Sequence, residues 1–269
     1  MKKHSIYLLT LSVFLTGCAK HHTPIQKSHS YTKKYSYLSE KKYNYLSKEE
    51  IKKICNITHE KIMSVNKICT DEDKIQKITS IAHKLLSTLN NYNIKDWEII
   101  VLEKKEINAV CLADGKIFIN SGIFRAAQND GQIAAVLAHE ISHVLLNHGE
   151  QKIKRSSISN KMQIAGTVIA GIFNPLLIIP FITVSEGAKY SVLSHYYQEE
   201  ENEADENSLV LLKNAGYDLN ETVKLWNNMK MINTKRAKTN ASTHLSYNER
   251  IIQLKYMINQ MKKKEKKDL

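Results

Sequence analysis

The chain has 269 residues, 42% of them hydrophobic and 25% charged, with nine glycines and three prolines. That is enough for one large or two small domains with a real core, and the scarcity of Gly and Pro suits a helix-rich soluble protein. The formal charge of +12 raises nucleic acid as a partner, but the lysines concentrate only near residues 33–42 and 262–267 and no nucleic-acid-binding signature interleaves with them. The pattern is that of a solvated basic surface, with no nucleic acid expected.

Residues 1–17 read as an export signal. Lys2 and Lys3 precede an apolar core, Ile6 to Leu15, too short to span a bilayer. The segment ends in Leu15-Thr16-Gly17-Cys18, which resembles a bacterial lipobox, so Cys18 is expected to carry lipid and hold the chain on a membrane. An ordinary signal peptide with a coincidental Cys is the alternative. Ala19 after the Cys resembles lipoproteins sent on to an outer membrane. Residues 18–46 are polar, without an apolar period, and read as a flexible tether in which the octad at 33–40 recurs at 41–48.

A domain is expected over 47–258, with a basic tail at 259–269 that is frayed from Lys262 to Lys267. Ser47 and Glu50 form a capping box that starts a helix at about Lys48, running toward Ile68. Thr70, Asp71 and Asp73 open a second helix running toward Leu89 over Ile75, Ile78, Ile81 and Leu85. The period then changes. Trp97 to Leu102 and Lys116 to Asn120 are short and β-branched, with a turn at Ala113-Asp114-Gly115, and predict a small, largely antiparallel sheet. Cys55, Cys69 and Cys111 cannot all pair with one another, so no required disulfide is expected.

The next helix carries His139-Glu140-Ile141-Ser142-His143. Residues four apart share a helix face, so both imidazoles can close on one ion while Glu140 lies beside them. Ile133, Val136, Leu137, Ile141, Val144 and Leu145 give the helix a buried stripe, Asn129-Asp130 an N-cap and Gly149 a plausible stop. In H-E-x-x-H zinc peptidases the histidines bind Zn²⁺ and the Glu is the general base. A core helix with two locally bonded histidines is the alternative.

Ile164 to Val184 is almost wholly apolar but interrupted by Asn174-Pro175 and Pro180. It fits a buried or membrane-facing helical hairpin better than a span. The acidic run after His195 offers a third ligand, and chemistry alone accepts Glu199, Glu200, Glu201, Glu203 or Asp205.

Glu201-Asn202-Glu203-Ala204-Asp205 matches the E-x-E-A-D motif that follows H-E-x-x-H in the Ste-type zinc metalloendopeptidases. That family includes the CAAX prenyl proteases, the mitochondrial Oma peptidase and bacterial periplasmic lipoprotein proteases. Asn108-Ala109-Val110-Cys111, Gly115-Lys116-Ile117 and Ser121-Gly122 resemble its edge-strand segment; Ser242-Thr243-His244 with Glu249-Arg250 resembles its S-T-H-P…E-R. The chain departs from the pattern at Asn147, where the family has Arg, at Tyr197-Gln198 for Ser-Arg, and at Leu245 for Pro.

The resemblance implies an α+β, helix-rich gluzincin-type domain holding one Zn²⁺. It makes Glu201 the third ligand with His139 and His143, Glu140 the base, and Asp205 the carboxylate that orients a ligating His. His244 would be a plug on the metal, an oxyanion donor or an ordinary surface residue. The implied activity is an endopeptidase of the cell envelope, facing the periplasm from an outer membrane and acting on unfolded or misassembled envelope proteins. A holdase that grips such clients without obligatory cleavage is the alternative.

Overall fold

In the computed structural model the described residues are 46–90, 93, 96–156, 187–234 and 247–267, with the backbone alone described at 154–156, 187–197 and 233–234. They fall in one compact unit. The expected signal and tether, Cys18, the apolar segment 164–184 and His244 lie outside them.

Helix α1 (Lys48–Val65) starts where the capping box places it. The Ser47 hydroxyl accepts from the Glu50 N–H, and the Glu50 carboxylate accepts from the Ser47 N–H at 2.8 Å. It ends before Ile68, because the segment after it is taken up as an edge for the first strand. Cys69 N–H donates to Val101 O at 2.9 Å and Glu103 N–H to Lys67 O at 2.7 Å. Helix α2 (Glu72–Leu86) is capped by Asp71 and buries Ile78, Ile81, Ala82, Leu85 and Leu86.

The sheet comprises β1 (Glu98–Leu102), β2 (Ala109–Cys111) and β3 (Lys116–Asn120), in the order β1-β3-β2. It is mixed rather than largely antiparallel: β2 and β3 form the expected antiparallel hairpin, but β1 pairs parallel to β3 over five residues. β3 takes the centre because both its faces are apolar. Ile117 and Ile119 enter the main core with α2 and the later helices, while Phe118 joins Ile100, Leu102 and the Ile51, Cys55 and Ile62 face of α1. The hairpin turn requires Gly115, whose φ is +88° and where a Cβ would sit 2.3 Å from the Asp96 carbonyl oxygen.

Helix α3 (Asp130–Leu145) is the central element, with Ile133, Ala134, Ala135, Leu137, Ala138 and Ile141 all buried. Its N-cap is Asn129, which accepts from the Gln132 N–H. Its stop is not Gly149. Leu146 closes the last turn and Asn147 adopts φ +57°, a left-handed position that Asn tolerates. Helix α4 (His148–Ser156) begins at once, and Gly149 lies against Ala113 of the β2–β3 turn.

Helices α5 (Gly187–Asn214), α6 (Asn220–Thr234) and α7 (Tyr247–Glu265) complete the core around α3. α7 carries Lys262, Lys263 and Lys264 in its last turn, so the basic segment is helical to Glu265 rather than frayed. Cations there are favoured by the helix dipole, and Met257, Ile258 and Met261 pack inward. Cys55, Cys69 and Cys111 are free thiols. Among the described residues no helix is long and apolar enough to cross a membrane.

The start of α3 is pinned from α6. Glu221 accepts from Lys224 Nζ at 2.6 Å, Asn129 Nδ2 at 2.8 Å and Gln132 Nε2 at 2.9 Å. Chiefly through Lys224, then Asn129, its pKa falls from the ordinary 4.5 to about 2. A depressed carboxylate contributes stability above its unfolded pKa and loses it as pH falls through the folded one. Glu221→Leu is therefore expected to lower stability by about 1–3 kcal/mol at neutral pH. In chemical denaturation the difference from wild type should shrink between pH 4.5 and about 2; a difference independent of pH there would refute the charge-based role.

Candidate metal centre

α3 and α5 pack against one another along the middle of the domain. Their facing sides bring together His139, His143 and Glu201, the donor group among the described residues that could hold a metal ion. His139 Nε2 and His143 Nε2 are 3.0 Å apart. Glu201 presents Oε2 to the first at 3.3 Å and Oε1 to the second at 3.4 Å. A tetrahedral zinc with bonds of about 2.0–2.1 Å separates its ligand atoms by about 3.3 Å, so the three donors sit near the edges of such a shell with one position left over. Glu201 and Asp205 are buried carboxylates, and the buried Arg250 guanidinium bonds to both.

Asp205 stands one helical turn beyond Glu201 and its Oδ1 is 3.0 Å from His139 Nδ1, on the far side of that ring from the donor cluster. Despite burial, Arg250 and His139 hold its carboxyl below the usual range. Burial pushes His143 down to about 3, leaving a neutral ring whose lone pair is available. Burial and Arg250 also disfavour a proton on His139, but hydrogen bonds to Asp205 and Glu201 outweigh them and raise it to about 9.

Glu140 follows His139 on α3 and is half-buried. It is not one of the three converging donors. β2 packs alongside α3. Desolvation, and then the Glu140 carboxylate beside it, raises the Cys111 thiol well above its usual pKa. The edge strand and Glu140 are thus neighbours.

Arg250 is the functional residue whose role sequence reasoning missed; it entered only as the last letter of a matched motif. Its side chain is 1% exposed. Nε and Nη2 grip Asp205 at 2.9 and 2.6 Å, Nη1 donates to Glu201 at 3.0 Å, and the guanidinium lies 4.0 Å over the Trp226 ring. Nη2 also lies 2.9 and 3.0 Å from the two His139 nitrogens. Arg can do this where Lys cannot, since its planar fork serves two carboxylates and stacks at the same time.

Two imidazoles one turn apart, a carboxylate from a packed helix and a Glu beside them that is outside the donor trio define a metallopeptidase of the H-E-x-x-H class. Peptidase family M48 matches residues 72–258, and the chain belongs to that family. It is similar to a putative beta-barrel assembly-enhancing protease of Vibrio cholerae, 27% identical over 146 residues, 53% of this chain and 30% of that protein. It is similar to Metalloprotease YcaL of Escherichia coli, 27% identical over 243 residues, 90% of this chain and 92% of that one. With the mitochondrial metalloendopeptidase OMA1 of Saccharomyces cerevisiae it shares 30% over 164 residues, 59% of this chain and 44% of the relative. The chain spans about 30% of the length of the β-barrel assembly-enhancing proteases it matches.

Proposed function

We propose that this chain is a zinc endopeptidase of the cell envelope, held by lipid on Cys18, that hydrolyses unfolded or misassembled envelope proteins. The convergence of His139, His143 and Glu201 beside Glu140 carries the proposal. Those three residues would hold the ion, which supplies Lewis acidity for the scissile carbonyl and the attacking water. Glu140 takes the proton of that water and returns it to the leaving amine. Asp205 and Arg250 keep His139 and Glu201 oriented.

Unfolded substrate fits the edge of the sheet. β1 is covered by residues 67–69, whereas β2 has no second strand partner among the described residues. A polypeptide added along β2 would pair through its main chain, indifferent to sequence, and lie next to Glu140. A cavity of about 90 Å³ beside it, lined by Ile62, Leu102, Ala109, Val110 and Phe118 among others, has room for a side chain. The names of the β-barrel assembly-enhancing relatives support outer-membrane proteins as the substrate class.

The full chain purified in detergent is expected to carry one zinc and to cleave casein, with activity lost to a chelator and regained on adding zinc. Absence of zinc, or cleavage indifferent to chelation, would sink the zinc-peptidase reading, and client binding without cleavage would favour a holdase. Cys18→Ser should move the protein out of the membrane fraction. Membrane association unchanged by that substitution, with no acyl group on the wild type, would sink the anchor.

A further inference from the structure

Beyond the three candidate ligands, a second line of polar side chains runs from His143 to the surface. His143 Nδ1 is 2.9 Å from His148 Nδ1, and His148 Nε2 is 3.1 Å from Glu203 Oε2. The two rings meet edge to face, with centroids 5.0 Å apart. His148 is 1% exposed, whereas the Glu203 side chain is 62% exposed. We propose that His148 and Glu203 are positioning residues for His143, presenting its Nε2 to the metal as a bare lone pair.

The inference rests on the metal reading of the site, and it follows from hydrogen counting. If His143 Nε2 is to hold an ion it carries no proton, so the single proton of the neutral ring sits on Nδ1. Nδ1–H then donates to His148 Nδ1, which must be the bare nitrogen of that ring. The proton of His148 is consequently on Nε2, aimed at the Glu203 carboxylate. One assignment satisfies both contacts with every donor facing an acceptor. The charged end of the line is in water, where it costs little desolvation. The intermediate His is buried, so it has no solvent partner to exchange for His143.

Local structure explains why His148 can serve. The left-handed Asn147 ends α3 and puts His148 at the first position of α4, folded back under the last turn of the helix it supports. Glu203 comes from α5, two residues past Glu201, so one helix supplies both a candidate ligand and the far end of this line. The carboxylate–histidine arrangement common behind metal ligands is thereby lengthened by one imidazole.

The test measures zinc affinity of the full chain by competition with a chromophoric chelator, the visible spectrum of the Co²⁺ form, and thermal unfolding of the metal-free protein. His148→Ala should weaken zinc binding by about 10–100-fold and alter the Co²⁺ bands in protein that the metal-free unfolding curve shows to be folded. Glu203→Leu should also weaken binding, whereas Glu203→Gln, whose amide oxygen still accepts from His148, should match wild type. Glu201→Gln, altering a ligand itself, should cost more than any of these. Wild-type affinity and an unchanged Co²⁺ spectrum in His148→Ala would overturn the proposal. Should that variant not fold, the surface position decides: equal affinities in Glu203→Leu and Glu203→Gln would overturn it, and a loss confined to Leu supports it. A wild-type chain that takes up neither Zn²⁺ nor Co²⁺ would instead overturn the metal reading itself.

Discussion

Glu140→Gln is expected to lower peptide hydrolysis by about 10²–10⁴-fold while the protein still carries one zinc per chain. The amide matches the carboxylate in shape but cannot take a proton from the attacking water. Because Glu140 lies outside the trio of converging donors, its replacement should leave metal affinity intact. It neighbours Cys111 of the edge strand and contributes to the negative surroundings of Arg250, so the folded structure has no need of its charge for closure of the ion shell. The measurement is kcat/KM on an unfolded protein or peptide, with metal content determined on the same sample. Parallel loss of activity and zinc would mean that Glu140 is a ligand; a fully active variant would remove it from the mechanism.

The second large effect concerns stability. Arg250→Leu leaves Asp205 and Glu201 as buried carboxylates without their cation, and breaking a buried pair from one side costs about 3–5 kcal/mol. Arg250→Lys should recover only part of that, because an ammonium cannot span both carboxylates and lie flat on Trp226. Adding Asp205→Asn to Arg250→Leu should restore some stability, since it removes one of the stranded charges, and the coupling is read from the double-mutant cycle. Metal-free protein in chemical denaturation is the sample to use. A loss below about 1 kcal/mol for Arg250→Leu would show that water reaches the carboxylates and that the guanidinium is not a structural keystone.

What could be read from the sequence was local. The four-residue spacing of His139 and His143, the Ser47–Glu50 capping box, the Asn129 cap and the Gly115 hairpin turn each depend on neighbours within one or two turns of chain, where periodicity and dihedral preference are decisive. The acidic run was different. Spacing alone admitted five carboxylates, and only the resemblance singled out Glu201; its phase on α5 relative to α3 is what brings it to the histidines. Tertiary structure also decided three things that no local pattern encodes. β3 became central because both its faces needed cover. Residues 67–69 left helical structure to close the edge of β1. Arg250 and the His148–Glu203 pair acquired their roles from contacts made across 111, 45 and 55 positions of sequence. A buried guanidinium or a satisfied imidazole is defined by groups that arrive from other elements, and a single chain of letters records the residue but not the burial that makes its charge or its tautomer matter.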